Sequence, residues 1–155
     1  MARGKSNDEE NGETGMNVQE RIPTVGILVY KEGKVLLVKH REGAKHLTGV
    51  YGLPAGRLQE GEDFSAAAAR ELEEETGLKT EASQLIRIPT VYEAEIPRKG
   101  GEMLKTSWHV FVAKEYSGEL KASDETIPEW VKINEISKLD LLPNTEKAAR
   151  EGLEI

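Results

Sequence analysis

The sequence predicts an α/β fold, a mixed β-sheet with helices packed on its faces, and three features predict it. Two runs of β-branched and apolar residues, Thr24 to Tyr30 and Lys34 to His40, flank a Glu32-Gly33 turn. An alanine- and glutamate-rich segment, Phe64 to Thr76, sits between Asp63 and Gly77, a helix N-cap and a residue suited to follow the C-cap. Two more strand-like runs, Leu85 to Ile96 and Glu102 to Tyr116, lie beyond the helix. At 155 residues and 17.2 kDa the chain is the size of one ordinary domain.

In chain order, residues 1 to 20 are rich in Gly, Asn, Glu and Ser, and bury too little apolar surface to offset the entropy of ordering. They are expected to form a flexible tail before a domain at 21–155. The opening hairpin is followed from Gly43 to Gly61 by glycine-punctuated loops with brief strands at Val50 to Leu53 and near Leu58. The helix comes next, then a hairpin turning around Pro97 to Gly101, a short strand from Glu129 to Ile133, and a C-terminal helix from Thr145 to Gly152. There is no internal repeat.

Composition excludes several functions. The absence of cysteine rules out disulfides, thiolate zinc sites and cysteine nucleophiles, and the three histidines lack close metal-ligand spacing. Any bound metal is therefore held mainly by oxygen. The net charge of −7 disfavours long nucleic acid, which wants a basic face, although cations can reverse the potential inside an acidic pocket. No apolar run approaches the roughly 20 residues of a membrane span, and the polar N-terminus is unlike a secretory signal. A soluble cytoplasmic protein with no membrane partner is expected.

On the predicted helix Glu71, Glu74 and Glu75 stand at i, i+3 and i+4, so three carboxylates share one side within a turn. Their repulsion opposes folding unless a cation sits among them, and a hard divalent ion is the natural candidate. Ala68 and Leu72, with Ala69 and Thr76 beside them, form an apolar stripe next to Glu71 and Glu75, so the acidic patch borders the core. Glu73 points away. Arg70 can pair with Glu74 or Glu62 through its fork of donors. Taken alone, these glutamates fit a solvated face, since 32% of the chain is charged. The longer spacing shifts the balance: Gly56, five residues, Glu62, seven residues, then Arg70-Glu71-Leu72-Glu73-Glu74-Glu75-Thr76-Gly77-Leu78. Coincidence across its seven fixed letters is on the order of 10⁻⁵.

This pattern matches the Nudix box at every defined position, and the chain resembles the Nudix hydrolase superfamily. The resemblance implies a Nudix-type α/β/α sandwich that hydrolyses a nucleoside diphosphate linked to another moiety, with Mg²⁺ or, in its place, Mn²⁺. It implies Glu71, Glu74 and Glu75 as metal ligands, completed by the Ala55 carbonyl. Arg70 and Glu62 would orient or assist them, and Gly56 and Gly77 would be structural. Within the family the general base is either a box glutamate or an acidic residue on a loop before a late strand, a role that by resemblance would fall here to Glu125, with Asp124 next. A solvated turn before Trp130 accounts for Asp124 and Glu125 equally well. Many relatives act as homodimers, and an apolar strand edge or the tail could serve that purpose here, but the sequence identifies no interface and does not settle the oligomeric state.

For a small nucleotide-type substrate, Arg41 in the basic stretch Lys39-His40-Arg41 is a phosphate-gripping candidate, whereas a solvated hairpin end suits Lys45 and His46 better. Tyr51 could stack on a base. Trp108 and Trp130 are expected to pack in or beside the sheet. Leu53-Pro54-Ala55-Gly56 resembles the Pro-Ala-Gly variant of ADP-ribose pyrophosphatases, but the proline that follows the box in many such enzymes has no match, Pro89 coming too early. Nucleoside triphosphate pyrophosphohydrolase is therefore the nearest alternative. A non-catalytic nucleotide-sensing module ranks behind both, because no box carboxylate is lost.

Overall fold

The structure is a computed structural model that describes residues 20–155. Residues 1–19 of the expected tail lie outside that range. The elements run β1 (Ile22–Lys31), β2 (Lys34–His40), β3 (Tyr51–Gly52), β4 (Ala55–Arg57), α1 (Phe64–Thr76), β5 (Ile86–Pro97), β6 (Met103–Ala113), β7 (Thr126–Lys132) and α2 (Thr145–Gly152). The sequence does not predict the 3₁₀ helices at Ala82–Gln84 and Ile133–Lys138.

β1 organises the sheet. One side pairs in parallel with β6 from Ile22↔Thr106 to Val29↔Ala113, and β6 pairs antiparallel with β5. The other side is shared, with β4 opposite Thr24 to Gly26 and β2 opposite Tyr30 and Lys31. β2 diverges to pair with β3 and, along its whole length, with β7. The parallel β1–β6 pair makes the sheet mixed, as predicted.

Val25, Ile27 and Val29 of β1 pack with Ala67, Ala68 and Leu72 of α1, whereas Leu28 packs with Val110, Ala148 and Ala149 on the α2 side. Burial on both faces explains why β1 reads as a nearly continuous apolar run. Leu72 alone, fully buried, contributes about 2 kcal/mol. In the helix stripe, Ala67 holds the buried position and the expected Ala69 is only half-buried.

Two differences from the predicted strands trace to proline. β7 begins three residues before Glu129, because Pro128 is tolerated on a strand paired on one side only, with β2. Pro89 falls in an irregularity between Arg87 and Val91 where β5 carries extra residues against β6, a place that needs no ladder donor. β6 stops at Ala113, so Lys114 to Tyr116 lie outside it. The brief strand expected near Leu58 is β4, one residue earlier.

Candidate active site

The helix that carries the acids is fixed at both ends. Asp63 Oδ1 accepts the Ala66 N–H at 2.8 Å, and Gly77, at φ 86°, donates its N–H to the Glu73 carbonyl at 2.9 Å. A Cβ at Gly77 would also overlap the Glu119 carbonyl. β4 passes so close to the helix that a Cβ on Gly56 would occupy the Glu71 carboxylate. Glycine there lets an acid reach over the strand into the site.

Arg70 is the hub. Its Nε and Nη2 form a two-point pair with Glu62 at 2.7 and 2.9 Å, and its Nη1 reaches Glu71 at 3.0 Å and Glu74 at 3.2 Å. Nη2 also donates to the Arg57 carbonyl at 2.9 Å, tying the helix to β4. The Arg70 guanidinium, with the Gln59 N–H, holds Glu62 down at about 2.

Glu71 and Glu75 are in the opposite electrostatic condition. Burial pushes Glu71 up to about 7 against the opposing pull of Arg70, with Glu74 and Glu62 adding repulsion. Burial likewise pushes Glu75 up to about 8, opposed by the Ala55 N–H that its Oε1 accepts at 2.9 Å and reinforced by Glu71, Glu125 and Glu74. Both acids line a cavity of about 300 Å³, together with Ala55, Gly56, Arg57 and Glu125.

The predicted set is thus only partly assembled. Glu74 is exposed and does not line the cavity. Among the described residues no three acidic or histidine side chains converge into a ready cage, because Arg70 draws Glu71 and Glu74 to itself. Ala55 borders the cavity as expected, but its engaged group is the N–H held by Glu75. The donor set nevertheless suits Mg²⁺, which takes one or two carboxylates and completes its shell with water and substrate oxygens. Glu71 and Glu75 are the residues that would hold it. A cation would also relieve the cost of two buried negative charges.

Glu125 sits on a turn in which Ser123 Oγ accepts its N–H at 3.2 Å and that of Thr126 at 3.0 Å. Arg41 does not line the cavity. Its N–H donates to the Glu125 carbonyl at 2.8 Å and its Nη1 to the Ser123 carbonyl at 2.8 Å, so it braces this turn. Tyr51 also lies outside the cavity lining, with its hydroxyl 3.3 Å from Glu129 and its ring facing the Lys39 ammonium. The expected order of the basic residues is reversed: Lys45 and His46 line the cavity. Arg98, Thr145 and Trp108 line it too. No sequence signal marks Arg98 or Thr145, since only the fold brings a hairpin turn and a helix start to the carboxylates. Trp130 packs beside the sheet against Tyr116, and His109 stacks on Phe64 with ring centres 4.2 Å apart.

The NUDIX domain profile matches residues 20–153. The chain is 35% identical over 122 residues to the ADP-ribose pyrophosphatase of Bacillus subtilis, covering 77% of this chain and 60% of that protein. It is 36% identical over 110 residues to the oxidized purine nucleoside triphosphate hydrolase of Danio rerio, covering 71% and 65%. The chain therefore spans less than two thirds of the length of these relatives. Among solved structures, a MutT NUDIX hydrolase from Burkholderia pseudomallei superposes with a TM-score of 0.63 at 26% identity, over 88% of this chain and 98% of that one. The E. coli ORF135 protein shares the fold with a TM-score of 0.67 at 19% identity, over 90% and 94%. Profile, sequence relatives and the box residues gathered around Arg70 agree: the chain belongs to the Nudix family.

Proposed function

We propose that the protein is a divalent-metal-dependent hydrolase that cleaves a phosphoanhydride bond in a nucleoside diphosphate-linked compound of the ADP-ribose kind. The observation that carries this reading is the pair of buried acids, Glu71 and Glu75, on the wall of one cavity. Acids raised so far by burial are poised to take up a cation, and a diphosphate is the ligand that completes a magnesium shell. When bound, the ion neutralises the diphosphate and stabilises the leaving oxygen.

The chain's own residues do the rest. Arg70 and Glu62 lock the helix acids in place, Gly56 admits Glu71, and the Ala55 N–H orients Glu75. Glu125 faces the same cavity, and among the described residues its carboxylate makes no hydrogen bond. It takes the proton of the attacking water. The relatives support both ADP-ribose and nucleoside triphosphates as substrate classes, and the Pro54-Ala55-Gly56 run leading into β4 favours the former.

The test is turnover with Mg²⁺ over ADP-ribose, dinucleoside polyphosphates, NADH, nucleotide sugars and nucleoside triphosphates. ADP-ribose is expected to be cleaved to two monophosphates. Excess chelator abolishes this, and Glu75→Gln slows it by about three orders of magnitude. Full activity in chelator or in the variant contradicts the proposal.

A further inference from the structure

The ladder between β2 and β7 ends at His40↔Thr126, yet the two segments stay joined beyond it. The Arg41 N–H donates to the Glu125 carbonyl and the Arg41 Nη1 to the Ser123 carbonyl, each at 2.8 Å. The carbonyl between them, that of Asp124, comes so close to Gly43 that a Cβ there would lie 2.9 Å from its oxygen. Three successive carbonyls, from Ser123 to Glu125, therefore meet the chain that leaves β2. Carbonyl oxygens gathered in this way need donors, and a guanidinium supplies a charge-assisted one at every working pH.

On its other side the same turn is tied to the helix that carries the acids. Thr126, which is buried, donates its hydroxyl to the Glu75 carbonyl at 3.3 Å, and the Lys121 N–H donates to the Thr76 carbonyl at 2.8 Å. Glu125 thus stands between β2 and α1, with its N–H held by Ser123 Oγ at 3.2 Å and its carbonyl held by Arg41. Both peptide groups flanking its Cα are pinned. Its carboxylate lines the cavity and, among the described residues, makes no hydrogen bond. Nothing at the acid end aims this group, so its direction is set by the backbone beneath it and the rotamers that backbone allows.

We propose that Arg41 is a positioning residue for proton abstraction: by pinning the Ser123 and Glu125 carbonyls to the end of β2, it fixes where the Glu125 carboxylate stands relative to the acids of α1. This rests on the reading of Glu125 as the base of a metal-dependent hydrolase. Displacing a reacting group by about 1 Å costs on the order of a hundredfold in rate, whereas an exposed loop side chain such as Arg41 contributes little to stability, so the two roles separate.

Single-turnover cleavage of ADP-ribose with Mg²⁺ is measured in the wild type, Arg41→Ala, Glu125→Gln and the double variant. Arg41→Ala is expected to slow the cleavage step about thirtyfold, with the half-saturating ADP-ribose concentration changed by less than about twofold. In the Glu125→Gln background the same substitution is expected to cost less than about twofold, the non-additivity of two residues that act as one. Gly43→Ala presses a methyl group on the Asp124 carbonyl without removing a charge, and is expected to follow the same pattern. Thermal melts verify folding, and either variant decides the matter if the other misfolds. Equal losses in both backgrounds, or weaker saturation at an unchanged cleavage rate, overturn the inference, because Arg41 would then act independently of Glu125 or on the substrate itself. An undiminished rate in Glu125→Gln overturns it too and leaves the hydrolase reading intact. A wild type inert toward ADP-ribose with Mg²⁺ defeats the proposed function, and this inference with it.

Discussion

At the scale of single residues, the site is a set of acids held in contrasting states by one arginine and by burial. Glu62, paired with Arg70, stays ionised at any working pH, whereas burial keeps Glu71 and Glu75 protonated far above the ordinary carboxylate range. The consequence for stability has a definite sign. A carboxyl whose pKa is raised on folding binds more protons in the native than in the unfolded state, so stability falls as pH rises between the two values. For Glu71 and Glu75 that window runs from 4.5 to about 7 and about 8. Scanning calorimetry in chelator is therefore expected to show the melting temperature dropping across it. Magnesium should recover the loss at the upper end, and Glu75→Gln should flatten the fall and melt higher than wild type there. A melting temperature that climbs through this window would contradict the account. These residues were legible because i, i+3, i+4 spacing is a local property. The partners of Glu71 were legible only in part: Arg70 is its neighbour, but the strand at Gly56 meets it through tertiary packing. Arg41 and Tyr51 lie outside the cavity lining, because nearness to the glycine loop in sequence does not fix the direction in which a side chain points.

At the scale of elements, α1 and β4 form one functional unit. The helix was readable to the residue because Asp63 and Gly77 are strong local stop signals. Strand β7 was not, because Pro128 interrupts the pattern and only its one-sided pairing makes the proline harmless. Two substitutions separate helix stability from site geometry. Asp63→Ala removes the cap bond to Ala66 and is expected to cost about 1 kcal/mol in denaturant melts with turnover retained. Gly56→Ala forces a methyl group into the Glu71 carboxylate and is expected to destabilise by about 1–3 kcal/mol and to lower kcat/KM by about a hundredfold or more. Unimpaired turnover in Gly56→Ala would show that the close approach of strand and acid is not needed.

At the scale of the whole molecule, the fold brings together groups separated by most of the chain. Thr24, His46, Glu71, Arg98, Glu125 and Thr145 all meet at one cavity. The α/β class and most element positions follow from local patterning. The cavity wall facing the acids does not, because it depends on Lys99 joining two connections and on α2 starting at Thr145. Among the described residues no helix is long and apolar enough to cross a membrane. In the proposed function, Glu71 and Glu75, raised by burial, bind a divalent cation beside a nucleotide phosphate. Anomalous diffraction from crystals soaked with Mn²⁺ and ADP-ribose tests it most directly. A manganese peak is expected within coordinating distance of both carboxylates and of a diphosphate oxygen. Ordered nucleotide with no manganese at either acid would contradict it.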